Sequence, residues 1–151
     1  MRRFLFTLVQ LTWGLPQTLF GFILYLYWLP RAKTRYMYHG AIVTEWTTGG
    51  GVSLGLFVFV SEKASRYMLD GRELTEAESR TGLRVHEYGH CIQSLMLGPL
   101  YLIAVGVPSY LWANLPALRK MRRETGRSYY SVYPENWANT LGEWATEEKI
   151  A

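Results

Sequence analysis

The sequence has little cysteine and little histidine, with one Cys and three His among 151 residues. The lone Cys91 excludes an intrachain disulfide and a zinc cluster built from cysteines. The net charge of +4 comes with no zinc-knuckle spacing and no aromatic RNA-binding signature, so nucleic acid is not predicted as a partner. A chain of this length has room for one modest hydrophobic core and not for a second regulatory domain.

Charge is also absent from residues 4–29, a run long enough for a helix that crosses a hydrocarbon core of about 30 Å. The run ends in aromatic residues followed by Arg31, a border typical of a membrane–water interface. A cleavable signal peptide is the rival interpretation, but its apolar part is shorter, about 7–15 residues. We therefore predict a membrane anchor over residues 1–35, with membrane lipid as a partner. Glycine and proline inside the run favour a kink, so a helical hairpin in one leaflet is the alternative to a transmembrane helix.

The remaining residues, 36–151, are predicted to form one α+β domain. Ala41–Trp46 and residues 52–60 are short runs rich in β-branched and aromatic side chains, which favours strands. A triple glycine at 49–51 lies between these runs and is a strong turn signal. The two runs are therefore predicted to form a β-hairpin.

A helix is predicted over residues 76–97. Thr75 with a glutamate three residues later fits a capping box, and Gly98 with the following proline ends the helix. The next stretch, residues 99–116, carries no charge but is short for a full membrane crossing. It is predicted to be either a re-entrant segment or a helix buried in the domain.

His86, Glu87 and His90 form the pattern H-E-x-x-H inside this predicted helix. Residues four apart share a helix face, so both imidazoles can bind one metal ion, and Zn²⁺ is the predicted cofactor. Glu87 lies about 100° around the helix from His86. There it can take a proton from water that the metal activates, without being a ligand. The plainer alternative is a pair of polar residues on an ordinary amphipathic helix.

Two histidines leave a catalytic zinc site incomplete, so a third ligand is needed. No histidine stands at the metzincin spacing, where Gln93 and Met96 occur instead. Glu135 is the best candidate, and Asn139, four residues on, would accept the N–H of a ligating imidazole. The alternative for Glu135 is an ordinary acidic residue in the first turn of a helix. His39 is the rival third ligand, although a surface position is the more common one for such a residue.

Tyrosines cluster just before and around Glu135 in the sequence. A phenolic hydroxyl in this region can donate to an oxyanion that develops during hydrolysis. Packing and interface roles are equally open for these rings. The three candidates are Tyr129, Tyr130 and Tyr133.

The motif pair of His86 to His90 followed by Glu135 and Asn139 resembles the gluzincin arrangement of thermolysin-like zinc metallopeptidases. In that family a downstream E-x-x-x-D supplies the third ligand and a carboxylate that orients a histidine. The resemblance implies a minimal zincin-like domain and a peptide or protein substrate. Asn139 stands where the family has Asp, which implies a weaker hold on zinc. The longer string around HEYGH also resembles small bacterial membrane-associated proteins, a likeness that implies no particular activity.

The expected function is a membrane-associated zinc hydrolase, most simply a metallopeptidase. The rivals are a non-catalytic membrane protein with a structural zinc site and a hydrolase of a non-peptide substrate. Glu135 can meet His86 only if residues 99–116 do not carry it to the other side of a membrane. Basic residues at 31–35 and 119–123 then predict a site on the cytoplasmic face of a bacterial inner membrane.

Overall fold

The computed structural model describes residues 3–32, 34–62, 68–69 and 72–150. Within these ranges the chain is α+β, as predicted. The helices are α1 (Arg3–Thr12), α2 (Leu15–Trp28), α3 (Glu76–Leu97), α4 (Val107–Asn114), α5 (Pro116–Thr125) and α6 (Tyr133–Thr146). The strands are β1 (Arg35–Tyr38), β2 (Ala41–Trp46), β3 (Gly51–Leu54), β4 (Phe57–Ser61), β5 (Met68–Leu69) and β6 (Arg72–Glu73). The described residues also form three short helical turns. Two are 3-10 turns, at Gly98–Leu100 and Tyr129–Ser131, and one is a π-helical turn at Leu102–Gly106.

The main sheet has the strand order β1-β2-β4-β3, with β2 and β4 parallel and the outer pairs antiparallel. The predicted hairpin between Ala41–Trp46 and residues 52–60 is therefore wrong. The second run is two strands, because Gly55, with φ of 62°, allows the chain to turn back within it. Within this sheet the hairpins turn at His39-Gly40, where both φ angles are positive, and at Gly55-Leu56. The glycines at 49–51 carry the chain across to the far edge of the sheet instead.

The uncharged run at residues 4–29 is broken into α1 and α2 at Gly14. The hydroxyl of Thr18 donates to the carbonyl of Gln10 at 2.8 Å, which connects the two helices across the break. Both helices lie against α3 or the sheet rather than apart from the domain. Among the described residues, no helix combines the length and the apolar character that a membrane crossing requires. The transmembrane part of the prediction thus has no support in the fold.

The core lies between the sheet and α3. Val43, Val58 and Phe59 from the strands are fully buried and join Tyr88 and Cys91 from the helix in one cluster. The capping box predicted at the start of α3 is present in both directions, and it fixes where the helix begins. Because one face of α3 is buried under the sheet, its rotation about its own axis is set by packing.

Helices α3 and α6 cross in close contact, and two glycines make that contact possible. A Cβ atom at Gly89 would collide with the carbonyl oxygen of Ala138, and one at Gly142 would collide with that of Val85. Each helix therefore rests against the backbone of the other. This crossing brings the first turn of α6 beside the middle of α3, where the H-E-x-x-H pattern lies.

We predict that Gly142→Ala lowers the free energy of unfolding by about 1–3 kcal/mol, since the added methyl group has no room against α3. Gly49→Ala is the matched control, because nothing lies within 4 Å of the added atom there. The control should stay within about 0.5 kcal/mol of wild type. Chemical denaturation followed by circular dichroism measures both changes. Equal stability of the two variants would contradict the close crossing.

Candidate metal centre

Three side chains from two helices converge on one point. His86 and His90 come from successive turns of α3, and Glu135 comes from the first turn of α6. The Oε2 atom of Glu135 lies 3.1 Å from Nε2 of His86 and 3.7 Å from Nε2 of His90. All three potential ligand atoms lie within 4.8 Å of one another. Ligand atoms around a tetrahedral zinc ion are roughly 3.3 Å apart, so the group is close enough to bind a metal ion.

Glu135 is completely buried, and its polar neighbours are the imidazoles of His86 and His90 and the phenol of Tyr129, none in good hydrogen-bond geometry. A buried carboxylate of this kind is strongly unfavourable unless a cation or a proton compensates it. The two imidazole nitrogens that face it would carry lone pairs if they were unprotonated. A metal ion between the three groups removes both problems, and the donor set of two nitrogens and one oxygen suits such an ion.

The electrostatics of the centre keep Glu135 ionised. Burial alone would raise the pKa of Glu135, but the imidazoles of His86 and His90 hold that pKa well below its ordinary value. Burial alone would lower the pKa of His90, but Glu135, Glu87 and Gln93 raise it above its ordinary value. The centre is thus arranged to stabilise positive charge beside Glu135, which a bound cation supplies as well as a proton does.

Each imidazole is oriented by a side-chain amide on its other nitrogen. Nδ1 of His86 lies 2.6 Å from Oδ1 of Asn139, and Nδ1 of His90 lies 2.7 Å from Oε1 of Gln93. An amide oxygen only accepts hydrogen bonds, so both Nδ1 atoms must donate. In the neutral imidazoles this leaves both Nε2 lone pairs free toward Glu135, which is the tautomer a metal ligand needs.

Gln93 belongs to the site, although the sequence did not identify it as a site residue. It is fully buried, and its amide nitrogen donates to the carbonyl of Pro134 at 2.8 Å. It therefore links His90 on α3 to the residue just before Glu135 on α6. The available signal was its place three residues after His90, on the same helix face, where a buried glutamine needs a polar partner.

Glu87 lies beside the ligands without joining them. Ser53 on β3 donates to Oε2 of Glu87 at 2.7 Å, and its hydroxyl lies equally close to the Glu87 carbonyl. The other carboxylate oxygen packs so closely on Gly51 that any side chain at that position would collide with it. Burial raises the pKa of Glu87 above its ordinary value. Strand β3 thus holds the carboxylate in one position, and neither Gly51 nor Ser53 was identified as a site residue from the sequence.

The ligands and Glu87 line one cavity of about 350 Å³. One wall is strand β3, and the opposite wall is the π-helical turn at Leu102–Gly106 with α4. Tyr101 ties the two walls together, because its hydroxyl donates to the carbonyl of Ser53 at 3.0 Å. A π-helical turn of this kind is frequent at functional sites. The cavity gives a small molecule or a peptide backbone access to the candidate metal centre.

The three candidate tyrosines occupy different places. Tyr129 lines the cavity, and burial raises the pKa of its phenol well above the ordinary value, so the hydroxyl keeps its proton. Tyr130 packs edge-on against His86, with ring centroids 5.1 Å apart. Tyr133 is more than half exposed, and its hydroxyl contacts the carbonyl of Ala104. His39, the rival ligand, sits in the β1–β2 turn and is not part of the metal-binding group.

Comparisons of the chain with protein-family models, with curated proteins and with solved structures find no match. The resemblance to gluzincins therefore rests on the sequence motifs alone.

We predict that the purified protein holds one zinc ion per chain after loading at neutral pH. His86→Ala, His90→Ala and Glu135→Ala should each lose affinity by more than the roughly 10- to 100-fold typical for removing a supporting residue. His39→Ala and Glu143→Gln are the controls, since neither side chain belongs to the metal-binding group. Elemental analysis after dialysis gives the stoichiometry. Full zinc retention by Glu135→Ala, or zinc loss in His39→Ala, would contradict the assignment.

Gln93→Leu tests whether the hydrogen bond between Gln93 and His90 strengthens zinc binding. The change keeps the side-chain volume but removes the acceptor of the His90 proton, so zinc affinity should fall about 10- to 100-fold. Asn139→Asp should act in the opposite direction, because a carboxylate raises the basicity of His86. Competition with a chromogenic chelator measures both, with Asn136→Ala as an exposed control on α6. Wild-type affinity in Gln93→Leu would mean that the glutamine serves only the helix contact.

Proposed function

We propose that the protein is a zinc-dependent hydrolase that cleaves peptide bonds. The observation that carries the proposal is Glu87, which is 4% exposed and lines the same cavity as the three candidate ligands without being one of them. A purely structural metal site gains nothing from a buried acid–base group beside its ligands. The donor set of two imidazoles and one carboxylate is one that catalytic zinc sites use, with a further position left for water.

The chain's own residues supply the proton transfers. When bound, zinc acts as a Lewis acid that makes water a nucleophile near neutral pH and polarises a substrate carbonyl. Glu87 takes a proton from the attacking water and passes it to the amide nitrogen as the carbon–nitrogen bond breaks. Ser53 holds the carboxylate for this transfer, and the raised pKa of Glu87 suits a group that must both accept and release a proton.

Tyr129 is the best placed of the tyrosines to stabilise the reacting carbonyl. Its protonated phenol lies in the cavity wall, where it can donate to an oxygen that gains negative charge. Trp112 donates from its indole to the carbonyl of Tyr129 at 2.7 Å, which fixes the backbone behind that ring. Tyr130 serves a different purpose, since its ring limits the movement of His86.

Strand β3 offers a way to align an extended substrate. It stands at one end of the sheet order, with β4 as its only strand neighbour among the described residues, and it lines the cavity from Gly51 to Leu54. Tyr101 already donates to the Ser53 carbonyl of this strand, so a peptide would pair with other main-chain groups of the edge and would run past the candidate metal centre. This arrangement favours a peptide over a compact non-peptide substrate.

The hydrolase is membrane-associated, with its site at the cytoplasmic face of a bacterial inner membrane. The support is the uncharged run at residues 4–29 together with basic residues at 31–35 and 119–123. Residues 99–116 do not separate the motifs, because Trp112 from this stretch reaches Tyr129 and Glu135 reaches His86.

One observation favours a non-catalytic zinc protein instead. Both imidazoles are supported by neutral amides, Asn139 and Gln93, rather than by carboxylates. A neutral partner raises ligand basicity less than a charged one does. A hydrolase requires the Glu87 carboxylate as a general base, whereas a structural zinc site does not. The test therefore changes Glu87.

We predict that Glu87→Gln keeps stoichiometric zinc but loses peptide hydrolysis by about 10²- to 10⁴-fold, the usual contribution of a general base. The assay incubates the zinc-loaded protein with a peptide library and identifies cleaved products by mass spectrometry. Glu76→Gln is the matched control, since it changes an exposed glutamate on the same helix. Cleavage that survives in Glu87→Gln would contradict the mechanism. Stoichiometric zinc without cleavage of any library peptide would favour the structural role.

A further inference from the structure

Helices α1 and α2, and Trp13 in the turn between them, carry apolar side chains on the side that faces away from the domain. Half or more of the surface of these side chains is exposed, and they follow one another along both helices. Members of this set are Phe4, Leu5, Trp13, Leu19, Phe20 and Ile23. A contiguous exposed apolar surface on this scale marks an interaction site rather than ordinary surface.

The inward side of the same helices meets α3 through polar as well as apolar contacts, since Phe6 is buried against Tyr88 and two glutamines lie beside it in the interface. The amide of Gln10 donates to the carbonyl of Cys91 at 3.1 Å, and that of Gln17 donates to Ser94 at 2.8 Å. Gln10, Gln17 and Thr18 are all at most 3% exposed. A set of buried amides inside with exposed apolar side chains outside is not the usual pattern in water. It is the pattern of helices whose outer surface faces lipid, where polar side chains turn toward the protein interior.

The exposed apolar surface continues from Trp13 onto residues 98–111, part of which lines the cavity. Gly98 packs directly against the ring of Trp13, and its carbonyl accepts from Gln17 at 3.0 Å. Just beyond this contact, Leu100 is 63% exposed and Ile103 is 72% exposed. We call the exposed apolar side chains of α1, α2 and residues 100–111 the outer face.

The cavity of the candidate metal centre opens beside this outer face. Val107 and Tyr110 line the cavity, and they are also 53% and 67% exposed, so they form its rim. On the opposite wall, Leu54 lines the cavity and lies against Gly21 of α2. The rim is therefore bordered on both sides by elements that belong to the outer face.

Charge around the outer face matches an anionic surface. Arg31 lies over the ring of Tyr27 at 4.6 Å, and Arg35 lies near that of Tyr25 at 6.0 Å, at the end of α2. Arg119, Lys120 and Arg123 are exposed on α5, immediately after α4. Paired aromatic and basic residues are typical of the headgroup region of a bilayer with anionic lipids.

The length of the helices sets the depth of insertion. Helix α2 has 14 residues, or about 21 Å, against a hydrocarbon core of about 30 Å. It is also connected to α1 by the contact of Thr18 with Gln10. An apolar face of this size fits into one leaflet, as interfacial helices do.

We propose that the outer face inserts into one leaflet of an anionic bilayer, so that the cavity opens at the lipid surface. Given the proposed peptidase function, its substrates are polypeptide segments that lie in or on the membrane rather than free peptides. A segment held there reaches the candidate metal centre past Val107 and Tyr110 without leaving the interface. A neighbouring protein or a second copy of the chain is the rival occupant of the face.

The docking is tested with the full chain and vesicles of phosphatidylcholine with or without phosphatidylglycerol. Wild type should float with the phosphatidylglycerol vesicles. Phe20→Glu with Ile23→Glu should lower the bound fraction by roughly tenfold or more, because two apolar side chains leave the lipid. Met37→Glu is the matched control, since Met37 is 58% exposed on β1 and outside the outer face. Absence of vesicle binding by wild type, or equal loss in Met37→Glu, would overturn the proposal.

A label at the rim tests where the cavity opens. Cys91 is the only native thiol and is buried, so Tyr110→Cys or Trp144→Cys provides a single reactive site. A fluorophore at Tyr110→Cys should be quenched by lipids with nitroxide-labelled chains, whereas one at Trp144→Cys on α6 should not. Vesicle binding without quenching at Tyr110→Cys would overturn the placement of the cavity. Neither readout uses zinc or cleavage, so failure of the peptidase proposal is seen separately.

The substrate class is tested on a peptide that shows Glu87-dependent cleavage. A palmitoyl chain on that peptide should raise kcat/KM in the presence of anionic vesicles by about tenfold or more, since both partners are concentrated at one surface. Met37→Glu should keep this gain. Equal kcat/KM for the two forms would overturn the inference about substrates and leave the peptidase function standing.

Discussion

A fully buried carboxylate that faces two imidazole nitrogens is the constraint on which the account depends. Glu135 is enclosed and ionised, so positive charge must lie beside it, either on the imidazoles or on a bound cation. The rest of the site is organised around this point: Asn139 and Gln93 direct the imidazoles toward it. Glu87 remains to one side, held by Ser53 and free of the ligand group.

The fold supplies this arrangement through contacts that are far from the chemistry. Gly89 and Gly142 allow α3 and α6 to touch along their backbones, and that contact sets the distance between the histidines and Glu135. Strand β3 reaches the other side of Glu87 because the glycines at 49–51 carry it to the edge of the sheet. Helices α1 and α2 pack against α3, and the buried amides of Gln10 and Gln17 donate hydrogen bonds to it. The apolar side chains of both helices face outward.

Local patterns in the sequence predicted α3 and the shared helix face of His86 and His90, because helix periodicity and capping are local properties. Glu135 was predicted differently, from the need of a catalytic zinc site for a third ligand. The limits of α3 follow from Thr75 and Gly98 in the same way. Strand pairing was not predictable, since a single glycine at position 55 divides one apparent strand into two. Gln93, Gly51 and Ser53 were missed because their roles exist only after α3, α6 and β3 have come together. The break in the run at residues 4–29 falls at Gly14, where glycine and proline favoured a kink. The packing of the two helices on α3 through Gln10 and Gln17 was not predictable, because it exists only in the folded chain.

The central claim is that one metal ion lies between α3 and α6, and anomalous diffraction from crystals of the zinc-loaded protein tests it most directly. The account predicts one strong peak at the zinc edge, about 2.0–2.2 Å from Nε2 of His86, Nε2 of His90 and a carboxylate oxygen of Glu135. Absence of a peak at this position in a fully loaded crystal, or a peak at His39 instead, would contradict it.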